Sequence, residues 1–337
     1  MKLFRFLLFP FSIIYGLITS LRNFLFDKGF LKSYQFDIPI ICVGNLNVGG
    51  TGKTPQIEYL IRFLSDKYRL ATLSRGYKRE TKGFILANES SNAQILGDEP
   101  FQFFSKFKDI LVAVDENRKN GIENLLSLKN KPEIILLDDA YQHRKVKAGF
   151  YILLTTYNDL FCDDYILPVG NLRESRKNSD RANLIVVTKC PKNLNLDNQN
   201  VIKSKLKLNN NQQLFFSFID YDNELFSEKD SIEIKSILKL DKILIAGIAN
   251  PKPFFEFLKQ ENDLILEFND HHNFSENDIQ KIKELSSNRI IVTTEKDYVR
   301  LKNNSIENLY YLPIKSSFIN NSNVFEKTIL SYISKHI

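Results

Sequence analysis

The segment GNLNVGGTGKTP, residues 44–55, follows the apolar run IICV and precedes the periodic stretch QIEYLIRFL, and this succession constrains the fold more than any other feature of the chain. Gly49, Gly50 and Gly52 keep side chains out of a turn whose backbone N–H groups, residues 49–53, can wrap phosphate oxygens. The turn opens a helix, and a helix amino terminus favours anions. In that arrangement Lys53 reaches the β- and γ-phosphates and the Thr54 hydroxyl reaches Mg²⁺. The pattern GxxxxGK[ST] would put its first glycine at position 47, where this chain has Asn47. The loop Asn47-Val48-Gly49-Gly50-Thr51-Gly52-Lys53-Thr54 is therefore assigned to ATP by its strand–loop–helix context rather than by the bare pattern.

The surrounding sequence predicts an α/β fold, a P-loop NTPase-like parallel sheet. Apolar runs at 39–45, 69–75, 109–115, 133–139, 150–156 and 182–189 alternate with helical patterns, and each is almost continuously apolar, as strands covered on both faces are. Residues 191–212 are rich in Asn and Lys and read as the exit from this domain. A second series of runs at 213–219, 241–249, 263–270, 289–297 and 308–314, closed by a periodic helix near 322–335, predicts a second, smaller α/β domain. The expected division is 1–30, 31–205 and 206–337. A length of 337 residues suits two domains. EIILLDD ends in Asp138 and Asp139, where a strand in the same sheet would place an acid opposite the loop to hold Mg²⁺.

Residues 6–21 carry no charge and lie between Lys2/Arg5 and Arg22. Sixteen residues with Pro10 and Gly16 fall short of the roughly 20 a membrane span needs. A signal peptide lacks its small-residue cleavage site here. On a 3.6-residue helix Arg5, Ser12, Tyr15, Thr19, Arg22 and Asn23 share one side, and Ile14, Leu17, Ile18, Leu21 and Leu25 the other. Such an amphipathic helix is expected to lie in a membrane interface; the competing reading packs it on the protein's own core. A net charge of +6, spread along the chain, suits an anionic membrane face or phosphorylated ligands. No basic stripe with interleaved aromatics points to nucleic acid. Cys42, Cys162 and Cys190 form no CxxC pair, which argues against a disulfide framework or a zinc site and for a reducing cytosol.

Seven segments occur in order: GNLNVGGTGKTP, SRGYKR (74–79), GDEP (97–100), DDAYQH (138–143), LPVGNLRES (167–175), NDHHNF (269–274) and TTEKD (293–297). In this order and spacing the chain resembles the tetraacyldisaccharide 4'-kinase family, the lipid A 4'-kinases, over most of its length. That family's loop likewise lacks the first glycine. The resemblance implies transfer of the γ-phosphate of ATP, with Mg²⁺, to the 4'-hydroxyl of a tetraacylated glucosamine disaccharide 1-phosphate at the cytoplasmic face of the inner membrane. It makes Asp98 the candidate base and His271, from the second domain, its partner, with Lys53 at the phosphates. It adds Glu174 to Thr54, Asp138 and Asp139 as candidate metal ligands. Asn45, Arg75, Tyr77, Arg118, His143 and Arg173 become candidate substrate contacts, the arginines because a guanidinium fork suits phosphate oxygens. TTEKD would lie near the nucleotide. A monomer is expected.

Two other readings compete. A membrane-associated ATPase switch of the partitioning type would use the loop and the helix but has no use for GDEP or NDHHNF. A soluble kinase acting on a small metabolite would have no need of residues 1–25. Read without the family, Asp98 ahead of Glu99-Pro100 fits a helix cap as well as a base.

Overall fold

The computed structural model describes residues 5–270, 272–286 and 289–336. The strands of the first unit are β1 (Ile40–Asn45), β2 (Leu70–Ser74), β3 (Ile85–Leu86), β4 (Leu111–Val114), β5 (Ile134–Asp138), β6 (Phe150–Thr156), β7 (Leu184–Thr188) and β8 (Gln213–Tyr221). Its helices are α1 (Phe9–Asp27), α2 (Lys53–Leu64), α3 (Ala93–Leu96), α4 (Asp98–Lys106), α5 (Arg118–Leu126) and α6 (Leu196–Leu206). β9 (Glu224–Phe226), β10 (Ser231–Glu233), β11 (Lys242–Ala246), β12 (Leu264–Glu267), β13 (Ile290–Thr294) and β14 (Leu309–Leu312) build the second sheet, and β15 (Ile314–Phe318) returns to the first.

The first sheet runs β15-β8-β7-β6-β1-β5-β2-β4-β3. β1 pairs in parallel with β5 on one side and β6 on the other. The chain leaves β1 towards β2 and β4, then comes back through β5 to β6 and β7. β1 is thus the point where strand order reverses, and ligands of open α/β sheets bind at the carboxyl ends there. Every residue of β1, β2, β5 and β7 is buried. Ile41 and Val43 pack on one face with Ile57, Ile61 and Leu64 of α2; Ile40 and Cys42 pack on the other with Ile122 and Leu125 of α5. This two-sided burial is why the runs show no polar alternation.

In the second unit the sheet order is β10-β9-β14-β13-β11-β12. β11 through β14 pair in parallel. Helices Lys252–Leu258 and Glu276–Leu285 contribute to separate apolar clusters around β11, Phe254 and Leu258 to one, Ile279 and Ile282 to the other.

The compact units are Met1–Ile219 with Ser316–Ile337, and Asp220–Lys315. The expected boundary at 205/206 is therefore corrected at both ends. QLFFSFI does not open the second unit; it is β8, paired in parallel with β7 through Val186 and Phe215. The Asn- and Lys-rich stretch before it is a surface crossover, because parallel strands need one and α6 buries only Ile202 and Leu206. The closing helix, Ser322–Ile333, also belongs to the first unit: Phe325, Ile329 and Ile333 join the cluster of α2, and the Phe215 and Phe325 rings lie 5.2 Å apart.

Residues 1–30 are likewise not a separate body but part of the first unit. Two sides of α1 separate as its phase predicts, yet its polar side faces protein. Ser12, Asn23 and Phe26 are buried, while Ile13, Ile14, Leu17, Ile18, Leu21 and Phe24 are at least half exposed. Ser12 Oγ donates to Ile166 O at 2.7 Å. By length and composition this helix is apolar enough to cross a membrane.

Candidate active site

The phosphate loop joins β1 to α2. Gly49 and Gly52 take φ of +117° and +84°, a region that side chains disfavour, and Gly52 turns the chain into the helix at Lys53. The first half of the loop is fixed by the LPVGNLRES segment: Val48 N donates to Asn171 O at 2.7 Å and Arg173 N to Leu46 O at 2.8 Å. Asn47, standing where the usual glycine would be, is buried, and its amide donates to Asp164 Oδ2 at 3.0 Å. The departure from the pattern thus replaces conformational freedom with an anchor. The second half is held from β7: Thr188 Oγ1 donates to Thr51 O at 2.8 Å and Lys189 Nζ to Gly50 O at 2.7 Å.

Four of the expected residues converge at the carboxyl end of β1. Lys53 Nζ lies 3.4 Å from Asn45 Oδ1 and 3.7 Å from Asp139. Arg173 donates to Asp139 at 3.2 Å and to Asn45 Oδ1 at 3.0 Å. Two cations face one carboxylate, which leaves positive charge for a polyphosphate. Asp138 is buried, and its Oδ1 has no hydrogen-bond partner among the described residues. Burial, with Asp139 alongside, lifts its carboxyl to about 7. A buried carboxylate short of partners accepts a cation readily. Glu174 is also buried, but both its oxygens are taken: Asn23 Nδ2 at 2.8 Å, Gln142 Nε2 at 3.1 Å and Arg181 Nη2 at 2.7 Å. Among the described residues no three His, Cys, Asp or Glu side chains converge on one point. Magnesium usually takes one or two protein carboxylates plus phosphate oxygens, so Thr54 with Asp138 and Asp139 is a donor set of the right kind.

Asp98 is the first residue of α4, half-buried, behind Gly97 at φ +90°. A Cβ on Gly97 would stand 3.0 Å from Tyr77 O, and one on Gly76 would stand 2.7 Å from Leu96 O. GDEP and SRGYKR are therefore pressed together through two glycines. Arg75 and Tyr77 are exposed. Arg118 is buried, bonded to Asp115 O at 2.7 Å, and stands behind the end of β5 rather than in the open. His271 lies outside the described residues. Its neighbour His272 bonds Asp278 at 3.0 Å, within the second unit. TTEKD is internal to that unit: Asp297 is fully buried, and its Oδ2 accepts from Gly247 N at 2.8 Å and from Thr294 Oγ1 at 2.6 Å.

His143 is half-buried, and burial together with Arg118, Lys145, Arg22 and Arg75 pushes it down to about 4. It is neutral at pH 7. Because the unfolded chain binds this proton first, its contribution to stability is present above about pH 6.5 and is lost as pH falls from there towards 4. Replacing His143 by Asn is expected to flatten the melting temperature against pH over that window; an unchanged slope would show that another group controls acid unfolding.

Several site residues were not singled out from the sequence: Asn23, Gln142, Asp164, Thr188 and Lys189. Asn23 stood on the polar side of the first helix, Gln142 inside DDAYQH and Lys189 at the end of the apolar run 182–189, but none had been given a part at the loop. Residues Asn47–Thr51, with Thr156, Asn158, Asp159 and Lys189, line a recess of about 230 Å³ beside the loop. A larger open groove of about 470 Å³, between the closing helix and Gly149, Asn183 and Gln213, lies at the opposite, amino-terminal ends of the strands, and it holds none of these groups. Sheets of this kind bind at their carboxyl ends, and the smaller recess is the relevant one.

The sequence model of the tetraacyldisaccharide-1-P 4'-kinase family matches residues 4–334. The chain belongs to this family. It is 63% identical over 338 residues to a tetraacyldisaccharide 4'-kinase of Flavobacterium johnsoniae, covering 100% of this chain and 99% of that one. A relative of the same description from Bacteroides thetaiotaomicron is 46% identical, with 98% and 93% covered. Among solved structures, LpxK from Aquifex aeolicus in complex with ATP superposes with a TM-score of 0.81 at 31% identity, covering 98% of this chain and 99% of that chain.

Proposed function

We propose that the chain transfers the γ-phosphate of ATP to the 4'-hydroxyl of a tetraacylated glucosamine disaccharide 1-phosphate, on the cytoplasmic face of the inner membrane. The observation that carries this reading is the corner formed by Lys53, Asn45, Asp139 and Arg173 at the carboxyl end of β1, in a chain matched by the family over nearly its whole length. The sugar oxygen attacks the γ-phosphorus, the bond from phosphorus to the β–γ bridging oxygen breaks, and ADP departs with that oxygen. The hydroxyl proton passes to a carboxylate, a part assigned to Asp98. Lys53 and Arg173 would face the phosphate oxyanions, and the loop's backbone N–H groups would hold the β-phosphate. Thr54 and Asp138 would hold Mg²⁺, with Asp139 beside them; bound there, the ion offsets charge developing on the phosphate oxygens.

The acceptor ties this chemistry to α1. Removing acyl chains from a bilayer costs about 0.8 kcal/mol per CH₂, so the enzyme must meet its substrate at the lipid surface. A helix with its polar side on the protein and Ile13, Leu17, Ile18 and Leu21 turned outward supports that placement. Incubation with γ-labelled ATP, Mg²⁺ and the disaccharide lipid in detergent is expected to label the lipid. Hydrolysis of ATP with no labelled lipid would replace this reading with the ATPase switch.

A further inference from the structure

Asn23 is a polar residue on a helix that shows lipid-like side chains to the outside, yet it is only 4% exposed and its amide donates to Glu174 Oε2 at 2.8 Å. A buried hydrogen bond to a carboxylate is charge-assisted, and leaving its acceptor unpaired is costly. From Glu174 the contacts run on to the phosphate loop. Glu174 Oε1 accepts from Gln142 Nε2, and the same nitrogen lies 2.8 Å from Asn45 O. Gln142 Oε1 accepts from Arg173 Nη1 at 3.4 Å, and Arg173 in turn bonds Asn45 Oδ1 and Asp139, both within reach of Lys53. Two more bonds leave the same side of α1: Tyr15 Oη donates to Arg173 O at 3.1 Å, and Arg22 Nη2 to Gln142 O at 3.0 Å. One helix face thus grips both residues through which Glu174 meets the loop.

We propose that Asn23 is a positioning residue for phosphoryl transfer. Through Glu174 it sets Gln142 and Arg173 against Asn45, so that the geometry around Lys53 depends on how α1 is seated. The proposal rests on the kinase reading above and on the outward face of α1 meeting a bilayer. It also gives Glu174 a task that its occupied oxygens suit, a junction between helix and loop. Displacements of about 1 Å at a reacting centre cost on the order of 10²-fold in rate, so a small shift of this junction has a large effect.

The test uses the full chain carrying Asn23→Leu, similar in volume but without a donor. Label transfer to the disaccharide lipid is followed in vesicles of equal parts phosphatidylethanolamine and phosphatidylglycerol, and vesicle binding by co-sedimentation. The expected result is a fall in kcat of about 10-fold, with KM for ATP and for lipid within about twofold and vesicle binding unchanged. Asn23→Ser, which keeps a short donor, should fall between. Combining Asn23→Leu with Glu174→Gln should be no worse than the worse single change, because both break one junction. Normal kcat in Asn23→Leu, a loss that tracks lost vesicle binding, or additive losses in the double variant would each overturn the proposal. Should the leucine variant fail to fold, a normal kcat in Asn23→Ser would overturn it alone. Failure of the wild type to label lipid sinks the kinase reading instead, and is scored before any variant.

Discussion

Replacing Lys53 by Ala is expected to lower kcat by about 10³-fold while the protein stays folded, in line with the loss of a charged donor aimed at a transferring phosphoryl group. The magnitude follows from position. Lys53 opens α2, its side chain is 17% exposed, and its ammonium lies 3.7 Å from Asp139 and 3.4 Å from Asn45 Oδ1. Charge that builds on the γ-phosphoryl oxygens in the transition state meets a preorganised cation there, in a site partly closed to water. Stability gains little from the same group, since half-screened ion pairs contribute about 0–1 kcal/mol. A melting point shifted by no more than about 4 °C is therefore expected. Lys53→Arg should not restore turnover: a planar fork is bulkier than an ammonium and has Asn45 Oδ1 and Asp139, already engaged by Arg173, as its nearest partners. Radiolabel transfer and a thermal scan on the same preparations check both halves. Retention of a tenth of wild-type turnover in Lys53→Ala would remove this residue from the chemistry.

Features legible in the sequence were those written in consecutive residues. Continuous apolar runs gave the buried parallel strands, because both faces of a covered sheet select for the same chemistry. Glycines beside Lys53 gave the loop, because its backbone conformation excludes side chains. Pairings over long separations were not legible. Asn23 and Glu174 lie 151 positions apart, and nothing local marks either as the other's partner. The resemblance put Glu174 among the metal ligands, and a motif does not show that Asn23, Gln142 and Arg181 occupy its oxygens. Glu58, inside the phosphate-loop helix, is 1% exposed and paired with Lys106 at 2.8 Å and Arg62 at 2.9 Å, although a glutamate is seldom fully buried. Periodicity showed which side of the closing helix is buried, but not that the first unit covers it. The same limit applies to α1: its phase separates polar from apolar, yet a polar stripe satisfies itself on protein as well as in water.

Replacing Asp98 by Asn should separate catalysis from helix capping, the two roles its sequence context allows. An acid in the first turn of a helix contributes about 0.3–1 kcal/mol through the positive end of the helix, and Asn there keeps hydrogen-bonding capacity at nearly the same size. A capping role alone therefore predicts a variant close to wild type in turnover and in melting point. A base that accepts the sugar hydroxyl proton predicts a loss in kcat of about 10²–10⁴-fold. KM for ATP should move by less than about threefold, because the proposed nucleotide site is the loop and α4 is no part of it. Gln102 and Lys106 of α4 both bond Glu58 of α2, at 2.9 and 2.8 Å. These ties couple the helix that carries Asp98 to the helix that begins at Lys53, which is the rigidity a proton acceptor near a bound phosphate requires. Asp98→Glu keeps the carboxylate but displaces it by one methylene, and should recover part of the lost rate. Steady-state kinetics on the three proteins decides: an asparagine variant within threefold of wild-type kcat returns Asp98 to the role of a helix-terminal acid, and a glutamate variant no better than asparagine shows that placement, more than charge, limits the step.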